Sequence, residues 1–136
     1  MAEAVAIGIQ GVHHIRLTVT DVARSQAFYE QVLGFQVARQ IPTGALLRNG
    51  SIILGLGPAF DPAAAPPDDR FDENRVGLDH LSFAVSSYAD LEAAAAAFDA
   101  AGISHGEIKD IGVAHVMAFR DPDNIQLELS VTRAQG

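Results

Sequence analysis

Three side chains of this sequence have the types and the placement to share a metal ion: His14, His80 and Glu128. The two histidines occupy the same place in two related stretches, Gly11-Val12-His13-His14-Ile15-Arg16-Leu17-Thr18-Val19 and Gly77-Leu78-Asp79-His80-Leu81-Ser82-Phe83-Ala84-Val85. Both stretches alternate apolar and polar residues, the period of a half-buried strand. Ile15, Leu17 and Val19 mark one face of the first, with His14, Arg16 and Thr18 on the other. Leu81, Phe83 and Val85 likewise oppose His80, Ser82 and Ala84. Near the end of the chain, Glu128 shares a strand face with Gln126 and Ser130, opposite Leu127, Leu129 and Val131. Two imidazoles and one carboxylate make a facial-triad composition that also suits catalytic zinc, with positions left for water or substrate. Arg16, Ser82 and Gln126 would line the same cavity and orient a substrate.

Each of these residues also has a plainer reading. A lone strand histidine is commonly a hydrogen-bonded structural residue, and Glu128 could be solvated or paired with Arg16. Two histidines at repeat-equivalent positions, joined by a carboxylate on the matching face, favour the metal site. His115 alternates with Val113 and Met117 in a strand expected beside Glu128. It is a candidate general base, a partner behind the ligands, or a strand-edge residue. Lys109 could neutralise an anionic substrate or simply be solvated. His13 falls on the face of Ile15 and Leu17, outside the site, and His105 reads as a loop residue. Asp121 and Asp123, flanking Pro122, read as turn formers.

The elements that must position these groups repeat in order. After the first strand, Thr20-Asp21 offers an N-cap for a helix running to about Leu33, stopped by Gly34. Strands are expected at Phe35–Gln40, Gly44–Arg48 and Ser51–Leu56, with turns at Pro42-Thr43-Gly44 and Asn49-Gly50. In the second half, a helix over Ser87–Ala101 ends at Gly102. Strands follow near Ile103–Lys109, Val113–Arg120 and Ile125–Val131, with a turn at Asp121–Asn124. Aligning the closing strands matches Ile52, Leu54 and Leu56 with Ile125, Leu127 and Leu129, which sets Gly55 against Glu128. The stretch from Pro58 to Val76 carries five acidic residues and four prolines and reads as a connector, partly ordered at Phe71. The 136 residues therefore form one domain: unit one at about 11–57, the connector at about 58–76 and unit two at about 77–132.

Composition narrows the chemistry further. Half the residues are apolar and the net charge is −8, with only nine scattered Lys and Arg, which argues against nucleic acid as a partner. No cysteine is present, so any transition-metal site must use His, carboxylate, amide or water. No signal-peptide pattern and no stretch of membrane-spanning length is visible, so a soluble cytoplasmic protein is the default expectation.

The duplicated strand–helix–strand–strand–strand order resembles the vicinal oxygen chelate superfamily. So do the His-apolar openings, Phe28-Tyr29 before Leu33-Gly34-Phe35, and Phe119-Arg120-Asp121-Pro122-Asp123-Asn124-Ile125-Gln126-Leu127-Glu128. That superfamily includes glyoxalase I, methylmalonyl-CoA epimerase, extradiol dioxygenases, fosfomycin-resistance thiol transferases and bleomycin-binding proteins. The resemblance implies an α+β fold of two βαβββ units forming an open cup-shaped mixed sheet with helices outside. It also implies a homodimer, often with units exchanged between chains, and a divalent ion such as Fe, Zn, Mn, Ni or Co. His14, His80 and Glu128 fall on the family's metal positions, while the fourth position corresponds to Gly55, which has no side chain to ligate. Lys109 resembles in position a phosphonate-holding lysine of the fosfomycin enzymes. A metal-dependent enzyme acting on a small substrate chelated through adjacent oxygens is the first reading. A metal-free protein that sequesters a small, antibiotic-type molecule in the same cup is the alternative.

Overall fold

The computed structural model describes residues 5–133. Unit one contains β1 (Ile15–Thr18), α1 (Val22–Leu33), β2 (Gln36–Ile41), β3 (Gly44–Asn49) and β4 (Ile52–Gly57). Unit two contains β5 (Leu81–Ala84), α2 (Tyr88–Ala101), β6 (Lys109–Asp110), β7 (Ala114–Arg120) and β8 (Gln126–Thr132). The fold is α+β, two βαβββ units with mixed sheets, as expected from the duplicated pattern. A short 3-10 turn at Pro62–Ala64 is the one regular element described in the connector.

Local chemistry sets the element ends. The Asp21 carboxylate accepts from the Arg24 amide at 3.1 Å and starts α1; Gly34, at φ 72°, ends it in the left-handed region. Ser87 and Gly102 (φ 71°) do the same for α2, whose Ala-rich middle favours helix and allows close packing on the sheet. The strand expected near Ile103–Lys109 is shorter than its sequence suggests. Only Lys109–Asp110 forms β6, preceded by an isolated bridge from His105 to Phe119.

The two sheets repeat one topology. Unit one has the strand order β1-β4-β3-β2 and unit two β5-β8-β7-β6; each opening strand runs parallel to its closing strand. The registers are equivalent too: Arg16 stands opposite Gly55, and Ser82 opposite Glu128. Among the described residues, β1 and β5 each bond to one neighbouring strand only, so the two sheets are not joined to each other.

Leu17, Leu47, Leu54 and Leu56 of unit one and Phe83, Met117, Phe119, Leu127 and Leu129 of unit two turn toward the helices and enter one buried cluster. Phe35 and Phe83 meet across the units with ring centroids 5.8 Å apart. Burial of this apolar surface, at roughly 25 cal/mol per Å², is the main stabilising term. Because strand residues alternate, the same packing leaves the opposite face of each sheet for polar groups.

Polar groups fasten the units as well. The Asp121-Pro122-Asp123-Asn124 segment is a turn, as expected, yet Asp121 and Asp123 are buried. Asp121 accepts from the Asp123 and Ile125 amides and, at 2.9 Å, from the hydroxyl of Tyr29 on α1. Asp123 accepts from the amide and hydroxyl of Thr20 and pairs with Arg24. Burial pushes the Tyr29 hydroxyl up, reinforced by the Asp121 charge, so it stays a donor. Burial also raises Asp121, against the pull of its hydrogen bonds. Asn124, in the left-handed region at φ 66°, donates from its side chain to the Phe71 carbonyl and ties the connector down.

Candidate metal centre

His80 lies one residue before β5 and Glu128 in the middle of β8, on the face turned away from the core. The His80 Nε2 is 3.3 Å from a Glu128 carboxylate oxygen. The other ring nitrogen, Nδ1, is 2.8 Å from the Asp79 carboxylate. With Nδ1 engaged by the Asp79 carboxylate, Nε2 is the ring nitrogen that faces Glu128. Two ligands each about 2.0–2.2 Å from one ion lie about 3–3.5 Å apart, so the pair has the spacing of neighbouring ligands. Unit two thus supplies two side chains at a spacing compatible with a shared divalent ion.

A chain of hydrogen bonds stands behind this pair. The Gln126 amide donates to the Asp79 carboxylate (2.7 Å) and carbonyl (3.2 Å). Its oxygen accepts from Arg120 at 3.3 Å, and Arg120 grips both oxygens of Glu73 at 2.8 and 2.9 Å. Hydrogen bonds from Arg120 hold the Glu73 carboxyl down at about 2. The connector is thus ordered against the site at Glu73 as well as at Phe71. Gln126, expected to orient a substrate, has its amide engaged in holding Asp79.

Unit one offers less. His14 precedes β1 at the position equivalent to His80, and its Nδ1 is 2.9 Å from the Nδ1 of His13. One of these nitrogens must carry a proton for that contact to be a hydrogen bond, and the His14 Nε2 takes no part in it. Gly55 holds the place equivalent to Glu128. Among the described residues, no three His, Asp or Glu side chains gather in a metal-holding group, so His14 does not join His80 and Glu128 within the chain.

The remaining candidates divide by face. Ser82 hydrogen-bonds to Ser130 beside Glu128. Lys109 pairs in register with Val116, which in turn opposes Ser130, so it sits on the Glu128 side at the sheet edge. His115 is paired with Val131, on the opposite face from Glu128. Its ring packs edge-on against Tyr88 of α2 at 4.9 Å and its Nε2 is 3.8 Å from Asp110. Strand alternation thus removes His115 from the candidate general bases. Arg16 does not pair with Glu128 and lies instead over unit one. Asp79, Arg120 and Glu73 are absent from the site as read from sequence. The adjacency of Asp79 to His80 was the one available signal; Glu73 and Arg120 meet across 47 positions and left none.

Residues 11–129 match the Glyoxalase/Bleomycin resistance protein/Dioxygenase superfamily, and the chain belongs to it. It is 33% identical over 132 residues to the uncharacterized protein YaeR of Escherichia coli K12, covering 90% of this chain and 97% of that one. The crystal structure of a glyoxylase/bleomycin resistance protein/dioxygenase domain from Frankia sp. EAN1pec is 32% identical with a TM-score of 0.74, covering 95% of this chain and 96% of that one. A lactoylglutathione lyase from Agrobacterium tumefaciens shares the fold, with a TM-score of 0.74 at 20% identity over 92% and 96% of the two chains. No helix among the described residues is long and apolar enough to cross a membrane.

Proposed function

We propose that this protein is a divalent-metal-dependent enzyme acting on a small substrate that presents two neighbouring oxygens to the ion. The observation that carries this reading is His80, held by Asp79 on one nitrogen and facing Glu128 with the other at 3.3 Å. His14 is the third ligand. Because one chain keeps His14 apart from the other two, each site is built between two copies, His14 from one and His80 with Glu128 from the other. The unjoined edges of β1 and β5 support this arrangement, since an uncovered strand edge is a ready pairing surface.

A bound ion would polarise the chelated oxygens and stabilise negative charge developing on them. The chain's own residues do the rest. Asp79 orients the His80 ring through Nδ1, and Gln126 holds Asp79 in place. Glycine at position 55 leaves the coordination more open than a fourth ligand would.

Metal content of untagged protein tests the proposal. His80→Ala is expected to lower bound metal at least tenfold; undiminished metal would sink the site. Mixing His14→Ala with Glu128→Gln chains restores about a quarter of the wild-type sites if each site spans two copies of a symmetric dimer. No restoration would overturn a site shared in this way between two copies.

A further inference from the structure

The outward face of unit one carries a charge pattern that the metal ligands do not explain. Arg16, Gly55, Leu46 and Arg39 form one row of register partners across β1, β4, β3 and β2. Arg48 stands on the same face, two residues along β3 from Leu46. None of these four strands contains an Asp or Glu. In a chain of net charge −8, three arginines thus share a surface with no carboxylate on it. The arginines with ion-paired side chains are Arg24, Arg120 and Arg133; among the described residues, Arg16, Arg39 and Arg48 form none.

Arg16 is shaped into this face by two glycines. A Cβ at Gly55 would touch the Arg16 Cγ at 3.6 Å, and one at Gly57 would stand 2.2 Å from Nη2 and 2.8 Å from Cζ. The aliphatic stem therefore lies over Gly55 and the guanidinium over Gly57. The position that bears Glu128 in unit two is, in unit one, the bed of a cation. A guanidinium with no counter-charge, laid on bare backbone, presents a planar fork of donors that matches an oxyanion.

We infer that the substrate carries an oxyanion, a carboxylate or phosphate-type group, which binds Arg16 above Gly57, with Arg39, in the row of Gly55, supplying further positive potential. This rests on the reading of the outward faces as the substrate site. It adds that the substrate is anionic at a point separate from its chelated oxygens. Gly57 lies four residues along β4 from Ile53, the residue level with His14, so the two ends of the ligand are on the order of 10 Å apart.

The test uses chelator-treated protein, so that it does not depend on the metal. Inorganic phosphate and acetate are titrated separately by calorimetry into wild type, Arg16→Gln, Arg39→Gln and, as a control on the exposed side of α2, Glu92→Gln. At least one anion is expected to saturate wild type. Arg16→Gln weakens it at least tenfold, Arg39→Gln by a few-fold, and Glu92→Gln retains it. Arg16→Lys, which keeps the charge without the fork, restores part of the affinity and controls for folding. Preference for phosphate or acetate identifies the kind of oxyanion. Absence of saturable binding by both anions, or equal binding by wild type and Arg16→Gln, overturns the inference. Metal content in the same variants reports on the ligand site separately.

Discussion

In unit one the residue facing Arg16 across the β1–β4 pair is Gly55; in unit two the residue facing Ser82 across the β5–β8 pair is Glu128. The backbones share strand order, parallel pairing of first and last strands, and capped helices, and differ chiefly in the shorter β6. The side chains on the outward faces are not. Unit two is closed on itself: His80, Asp79, Gln126, Arg120 and Glu73 satisfy one another in sequence. The outward face of unit one is open: among the described residues, His14, Arg16, Arg39 and Arg48 form no ion pair. Arg48 and Arg120 occupy equivalent positions, yet only Arg120 found a partner, because the connector delivers Glu73 to unit two alone. The duplication thus preserved what the fold needs, the apolar face, and freed the polar face to diverge.

The contrast can be broken most sharply where the units are fastened. Asp121→Ala leaves the Tyr29 hydroxyl and the Ile125 and Asp123 amides without their acceptor. Denaturant unfolding is expected to show a loss of about 3 kcal/mol or more, because several buried donors lose their partner together. A loss below about 1 kcal/mol would mean that this turn does not hold the units together.

Restoring symmetry is the next largest effect. A Cβ at 55 makes only ordinary contacts, with Arg16 and Leu46 at 3.6 Å, so Gly55→Glu is expected to fold once the Arg16 stem moves aside. It places a carboxylate at the position equivalent to Glu128. Metal titration is expected to show about tenfold tighter binding, roughly 1.4 kcal/mol, from the added ligand. Unchanged or weaker metal affinity would show that the two units do not meet around one ion.

The smallest effect concerns acid. Glu73 sits at about 2 in the folded protein, below the ordinary 4.5, because Arg120 donates to it. A lowered carboxylate contributes stability that is fully present above its unfolded value and lost as pH falls through the folded one. The thermal-stability advantage of wild type over Glu73→Gln should therefore be complete at pH 6 and vanish between about pH 4.5 and pH 2. A difference that persists unchanged at pH 2 would assign the contact a role other than charge.

The repeat was legible in the sequence because its signals are local. Alternation in Ile15–Val19 and Leu81–Val85, caps at Asp21 and Ser87, and stops at Gly34 and Gly102 each depend on a few neighbouring residues. The match of Gly55 to Glu128 followed from strand alternation alone, and the registers agree with it. His115 failed the same logic, since its register with Val131 rather than with a residue of Glu128's face depends on where the Asp121–Asn124 turn reverses the chain. Asp121 and Asp123 read as turn formers, and they are; that they are buried against Tyr29 and Thr20 comes from the packing of one unit on the other.

What the amino-acid sequence determined by itself is the duplicated unit, its faces and its family, because hydrophobic period and capping are written in short spans of chain. Only the tertiary structure decided which polar groups meet. Glu73 reaches Arg120, Asp79 takes one nitrogen of His80, and Arg16 lies down over Gly57 rather than reaching Glu128. Those choices turn on distances between segments tens of residues apart, which the packing of the two units sets and no local pattern encodes.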